Sequence, residues 1–279
     1  MLKIVTDSTV QLSQEEIDRY GITIVPLSVM IDGTVYSDNV TITKEEFLEK
    51  MGTSTALPTT SQPSIGSYLE LYDQLGADGS QVLSIHVSGD LSGTYSAAVQ
   101  ASQLTKTDVT VWDSKFVDRP LAFQVITAAE MAQEGADVDS ILQQLEAVRN
   151  ESVFYVGIVT LENLVKGGRV SNTLGKISAF FNLKLMLKMT AAEGLAVDTK
   201  GRGMKSLTKQ IDRIMDDIDS VSSLREISVT HVGLTEYTQQ LIDRLKQQFP
   251  QTPITINQAS PVLMTHAGKG AFAISYFKG

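Results

Sequence analysis

The sequence predicts an α/β protein of two domains, residues 1–150 and 151–279, and three observations carry that prediction. Short apolar runs rich in β-branched residues alternate with helical patterns through the first half, the mark of parallel strands covered on both faces. The character changes near residue 150, beyond which two basic, glycine-rich segments appear, "KGGRVS" (166–171) and "KGRGMK" (200–205). The 279 residues, 42% of them apolar, suffice for one large core or two medium ones, with two slightly favoured.

The first strand is "LKIVT" (2–6), followed by "ITIVPLSV" (22–29) and a helix over "KEEFLEKM" (44–51). "PTTSQPS" (58–64) reads as a stiffened loop. Pro58 and Pro63 restrict φ, Pro63 suits a first helical turn, and Ser61 and Ser64 are both plausible caps. Capping uses one or two of its five polar side chains, so the loop alone does not decide between capping and ligand binding. A helix over "IGSYLELYDQL" (65–75) leads to the strand "QVLSIHV" (81–87), and a helix over "GTYSAAVQASQL" (93–104) to "DVTVW" (108–112). Helices at "RPLAFQVITAAEMAQE" (119–134) and "VDSILQQLEAV" (138–148) close the first domain. The second opens on "VFYVGIVT" (153–160), and the two basic loops then flank a helix-like "NTLGKISAFF" (172–181). A helix near 204–220, the strand "EISVTHV" (226–232), a helix near 237–248 and strands near 253–257 and 271–277 complete it.

Several function classes are excluded or disfavoured. With no cysteine there are no disulfides, thiolate metal sites or cysteine nucleophiles. The start reads as a strand rather than a signal peptide, and no apolar run approaches the ~18 residues of a membrane span, so a cytoplasmic protein is expected. A net charge of −9 disfavours nucleic-acid binding, and with it a DNA-linked regulator. There is no P-loop, no dinucleotide fingerprint, no His-Glu-x-x-His and no Gly-x-Ser-x-Gly elbow, so neither cofactor nor metal is expected. Ser206-Leu-Thr-Lys209 and Ser37-Asp38-Asn39 match fragments of the serine β-lactamase pattern, but in reversed order and without Lys-Thr-Gly.

The polar groups converge at strand ends. "IVT" runs into Asp7, Ser8 and Thr9, "SIHV" into Ser88 through Thr94, and "VTVW" into Asp113 and Ser114. In open α/β sheets ligands bind outside the carboxyl ends of the strands, so these loops should surround one crevice. In "SGDLSGTYSAA", Gly89 and Gly93 permit tight turns before a helix whose N-terminal N–H groups suit an anion. Capping by Ser92 or Thr94 explains the same residues about as well. His86 and His231 lie in apolar strands and read as core or edge residues. His266, ahead of Gly268 and Gly270, should be presented by a turn, as an anion partner or as another packed histidine.

Taken in order, "IVTDST", "VPLSVMIDG" (25–33), "PTTSQPS", "LSIHVSGDLSGTYSAA" (83–98), "LVKGGRVS" (164–171), "KGRGMKS" (200–206) and "HAGKGA" (266–271) resemble the DegV family over essentially the whole chain. The resemblance implies a Rossmann-like N-terminal domain with a parallel sheet, a second α/β domain, and one long-chain fatty acid, such as palmitate or oleate, bound between them. Members of the FakB type present that acid to a separate fatty acid kinase, which makes the acyl phosphate, so the chain itself would be a lipid carrier and not an enzyme. On the family pattern Thr60, Ser61 and Ser92, the N–H groups of Gly93 and Thr94, and His266 hold the carboxylate. Arg202 and Arg169 match the basic loops, Arg202 being the better candidate for kinase docking. For the acyl tunnel the stretch "ISAFFNLKLMLKM" (177–189) nominates Phe180, Phe181, Leu185 and Met186. The competing reading is a serine-dependent hydrolase or acyltransferase with Ser92 as nucleophile and His266 as base. Three places depart from the pattern: Lys269 and Leu185 stand where proline is common, and "DSKFVDRPLAF" lacks the usual glycines. They leave the carboxylate donors in place and bear on acyl-chain preference and partner docking.

Overall fold

The computed structural model describes residues 1–169 and 182–278. The elements run β1 (Leu2–Asp7), α1 (Gln14–Tyr20), β2 (Thr23–Val25), β3 (Ser28–Ile31), β4 (Thr34–Ser37), α2 (Lys44–Thr53), β5 (Thr59–Ser61), α3 (Ile65–Gly76), β6 (Gln81–His86), α4 (Thr94–Ser102), β7 (Val109–Asp113), α5 (Asp118–Gln133) and α6 (Val138–Glu151). They continue as β8 (Ser152–Ile158), α7 (Glu162–Gly167), β9 (Leu183–Thr190), β10 (Gly194–Arg202), α8 (Met204–Asp219), β11 (Leu224–His231), α9 (Glu236–Gln248), β12 (Ile254–Gln258), α10 (Pro261–Ala267) and β13 (Phe272–Lys278).

Three sheets organise the molecule. The first is parallel, in the order β2-β1-β6-β7. Its two faces explain its continuous apolar strands: Val5 and Val82 pack under α3 and α4 against Tyr68, Tyr72 and Ala98, while Ile4, Leu83 and Ile85 pack under α5 and α6 against Leu121 and Ile141. The second sheet is mixed, in the order β10-β9-β8-β13-β11-β12. One face carries α8 and α9, with Met186, Tyr155, Ile227 and Val229 buried against Ile211, Ile214 and Leu241. A small antiparallel sheet, β4-β3-β5, lies beyond the other face. Its Val29 and Ile31 share a core with Ile158, Leu187, Val232 and Val262 from the second half of the chain.

Some boundaries differ from the sequence reading, each for a local reason. "ITIVPLSV" is two strands in two sheets, because Pro26 lacks the N–H that a continuous ladder needs. "PTTSQPS" begins as the edge strand β5, with Thr60 paired to Val29, and only Ser64 caps α3, accepting from Ser67 N at 3.0 Å. His266 is not on a turn. Ser260 caps a helix with Pro261 at its first position, which places His266 in the last turn of α10 before Gly268 breaks the helix at φ +78°. The region read as a basic loop at 200–202 is the end of β10. α1 was not anticipated, although Ser13 and Glu16 form a reciprocal capping box. The "NTLGKISAFF" segment (172–181) lies outside the described residues.

Candidate ligand site

The crevice between the parallel sheet and the mixed sheet contains a cavity of about 120 Å³ (space for the centre of a water-sized sphere), and both halves of the chain line it. The mixed sheet supplies a row of side chains in register, Leu187 on β9, Val156 on β8, Ala273 on β13 and Thr230 on β11. Alternation along β8 adds Phe154 and Ile158. Val87, Leu91 and Val117 from the first half and Val262 and Leu263 from α10 close the walls. The lining is mostly hydrocarbon, with a few polar groups at defined places.

One polar group of residues forms around α10. Thr60 Oγ1 lies 2.9 Å from His266 Nε2, so the edge strand and the helix meet across 206 residues of sequence. His266 Nδ1 is buried and has no partner among the described residues. Burial pushes the imidazole down to about 4, and the Arg169 charge nearby adds to the shift, so the ring is neutral at pH 7. Arg169 Nε donates to Leu91 O at 3.2 Å and Nη1 to Gly167 O at 2.7 Å, strapping the end of α7 to the turn that carries Ser92. Ser92 Oγ lies 2.8 Å from Thr94 Oγ1 and accepts from Thr94 N at 3.3 Å. Thr60, Ser92, Arg169 and His266 all line the cavity. Two hydroxyls, a neutral imidazole and a guanidinium thus face one end of an apolar channel, beside the N-terminus of α4. That set can hold one small anion.

The other candidates fall around this centre or away from it. Ser61 is exposed on β5, next to Thr60, and Gly93 and Thr94 begin α4 directly after Ser92. A Cβ at Gly93 would collide with the Gln62 amide, so glycine lets β5 and α4 approach. Leu185 faces the same side as Leu187 but is packed into the core beside Ile158 and Leu164; the wall at β9 is Leu187. Met186 points to the opposite face, under α8, because successive strand residues alternate. Arg202 is exposed at the end of β10 and does not line the cavity. Phe180 and Phe181 lie outside the described residues. Thr9 lines the cavity, as the crevice expected at the strand ends implies, whereas Asp118 and Thr230 line it and were not anticipated. Their common signal was weak, since Asp118 looks like an ordinary helix-start residue and Thr230 like the outward side of a strand.

Ser92 and His266 are not hydrogen-bonded to each other; Ser92 Oγ is paired with Thr94 Oγ1 and His266 Nε2 with Thr60 Oγ1. A second Ser-His-Asp array does exist. Asp7 Oδ2 lies 3.0 Å from His86 Nδ1, and His86 Nε2 lies 2.7 Å from Ser84 Oγ. All three are 0% exposed, Tyr72 donates to Ser84, and none lines the cavity, so this array serves packing rather than catalysis. Among the described residues no three His, Cys, Asp or Glu side chains are placed to hold a metal ion, and no helix is long and apolar enough to cross a membrane.

The fold and site define a class: a two-domain α/β protein with an apolar channel between its halves and an anion-sized cluster of donors at one end. A family model described as "Uncharacterised protein, DegV family" matches residues 1–279, and the chain belongs to the DegV family. It is 42% identical over 273 residues to a DegV domain-containing protein of Streptococcus pneumoniae serotype 4, covering 98% of this chain and 97% of that one. Among solved structures it resembles DegV of Bacillus subtilis, described as a fatty acid binding protein, with a TM-score of 0.90, 28% identity and 99% coverage of both chains. A DegV family protein of Thermus thermophilus, whose structure is described in terms of fatty acid binding, gives a TM-score of 0.88 at 28% identity, covering 100% of this chain and 99% of that one.

Proposed function

We propose that this protein binds one long-chain fatty acid in the channel, with the carboxylate on Thr60, Ser92 and His266 and the tail along the row from Leu187 to Thr230. The observation that carries the proposal is the meeting of Thr60 and His266 beside Ser92 and Arg169 at the end of an apolar cavity. A buried carboxylate without donors is very costly, and this end supplies several. Each methylene buried contributes ~0.8 kcal/mol, so the tail provides most of the affinity. The descriptions of the Bacillus and Thermus proteins support the same ligand class.

The reading extends to a partner. Held at the carboxylate, the acid is presented to a separate fatty acid kinase that transfers phosphate from ATP to it, giving the acyl phosphate and ADP. The protein then needs no catalytic residue or cofactor of its own and works in the cytoplasm. Exposed Arg202, and Arg169 at the site's edge, are the candidate docking cations.

Native mass spectrometry of the purified protein, followed by solvent extraction, tests the binding. One fatty acid per chain is expected, diminished in Thr60→Val, Ser92→Ala and His266→Ala. A protein that carries no lipid and takes up none when palmitate or oleate is added would sink the reading. Ester turnover abolished by Ser92→Ala would favour the hydrolase instead. For the partner, Arg202→Ala should slow acyl-phosphate formation with a fatty acid kinase and ATP while leaving acid binding intact.

A further inference from the structure

The channel wall is not hydrocarbon throughout. Asp118, 3% exposed, lines the same cavity as Val117, Thr230 and Ala273, and shares no hydrogen bond with Thr60, Ser92 or His266. Its Oδ1 accepts from Thr230 Oγ1 at 2.7 Å and from Arg119 N at 2.6 Å. Among the described residues Oδ2 has no hydrogen-bond partner. The carboxylate cannot easily swing away. Its backbone sits at φ +65°, its N donates to Thr9 O at 3.1 Å, and its O accepts from Gln11 N at 3.4 Å. Thr230 stands three strands from Leu187 along the sheet, on the order of 14 Å at ordinary strand spacing.

Asp118 also borders a buried polar cluster around Lys44. Lys44 Nζ is 3.4 Å from Gln11 Oε1, and its charge acts on Asp118, Asp38 and His231. Gln11 Nε2 and His231 Nδ1 are buried without partners among the described residues, and both oxygens of Asp38 are buried with Ser8, Ser260 and the Val262 N–H near them but short of full hydrogen-bond geometry. Burial raises the Asp118 carboxyl to about 6 against the pull of Thr230, Arg119 and Lys44. A saturated chain laid against this wall would cover the free carboxylate oxygen with methylenes and leave it unpaired, which is unfavourable. A hydroxyl on the chain would pair it.

Resting on the fatty-acid reading, we propose that Asp118, with Thr230, is a second polar subsite inside the channel, and that it takes a hydroxyl carried well down the acyl chain. The ligand class is then the oxygenated long-chain fatty acids, with the hydroxyl donating to Asp118 Oδ2. The test is equilibrium binding of stearate, 2-hydroxystearate and 12-hydroxystearate to the delipidated full chain. The 12-hydroxy acid should bind about tenfold tighter than stearate, the 2-hydroxy acid should gain nothing, and Asp118→Gly, which tolerates the positive φ, should abolish the preference. Equal binding of stearate and the 12-hydroxy acid, or a preference that survives Asp118→Gly, overturns the proposal while leaving fatty-acid binding in place. Failure of all three acids to bind overturns both. The isomer comparison on the unaltered protein decides the question whether or not the variant folds.

Discussion

On the proposed fatty-acid reading, a neutral His266 next to a guanidinium would respond to an arriving carboxylate. Its free-state value of about 4 reflects burial first and the Arg169 charge second. A carboxylate in contact favours the imidazolium, so the bound-state value rises. Between the two values, binding takes up a proton, and affinity should strengthen as pH falls through that window. Calorimetry near pH 6 in buffers of different ionisation enthalpy should show this uptake with the wild type and not with His266→Ala; buffer-independent heats would refute it. The ring's position also depends on a glycine. A Cβ at Gly167 would come within 2.7 Å of His266 Nδ1, while Thr60 holds the other side of the ring. Gly167→Ala should therefore weaken fatty-acid binding by about tenfold through displacement of the ring, with a far-ultraviolet circular dichroism spectrum like that of the wild type.

At the scale of elements, the channel depends on which side chain each strand turns inward. β9 alternates, so Leu187 lines the cavity while Met186 packs under α8. β13 offers Ala273 at the centre of the row, a small side chain between Val156 and Thr230. Ala273→Phe should block the channel there. The expected outcome is loss of long acids from the purified protein, or replacement by acids several carbons shorter, read by lipid extraction. Unchanged long-chain content would show that the tail does not cross β13. The alternation of "LKLMLKM" was open to reading, yet which parity faced the ligand was not, because that depends on pairing with β8 and on what lies above the sheet. α10 was legible after the fact from Ser260-Pro261, a cap followed by a first-turn proline. The two glycines beyond it drew the reading toward a turn instead.

For the whole molecule, two buried charges act in opposite directions, Arg119 as one of the links between the halves and Asp38 as a burden. Arg119, 4% exposed, donates to both oxygens of Glu16 on α1 and both oxygens of Glu226 on β11, and to Gln11 O. Arg119→Met retains the stem but strips the charge from two partly buried carboxylates. A loss of ~3 kcal/mol in denaturant unfolding is expected, and a change under ~0.5 kcal/mol would show that the tether is dispensable. Asp38 acts the other way. Burial pushes its carboxyl up to about 7, with Ser8, Ser260, Val262 N–H and Lys44 pulling it only part of the way back. Its folded value lies above the ordinary one, so the folded state holds the extra proton between about pH 4 and 7, and stability from this group is lost as pH rises through that range. Asp38→Asn should match the wild type near pH 4 and exceed it by ~2–4 kcal/mol at pH 8; parallel stability–pH curves would contradict the assignment.

By itself the sequence determined the α/β class, most strands and helices and the family, and it pointed to Thr60, Ser92 and His266, which all line the cavity. Those properties follow from periodicity, caps and short motifs, which neighbouring residues decide among themselves. Only the tertiary structure decided that Asp118 and Thr230 face the channel, that Leu187 rather than Met186 lines it, and that Arg119 spans the halves. Asp118, Thr230 and Arg119 depend on partners more than a hundred residues away and Leu187 on its register with β8, so burial and pairing, not local pattern, select the face each side chain shows.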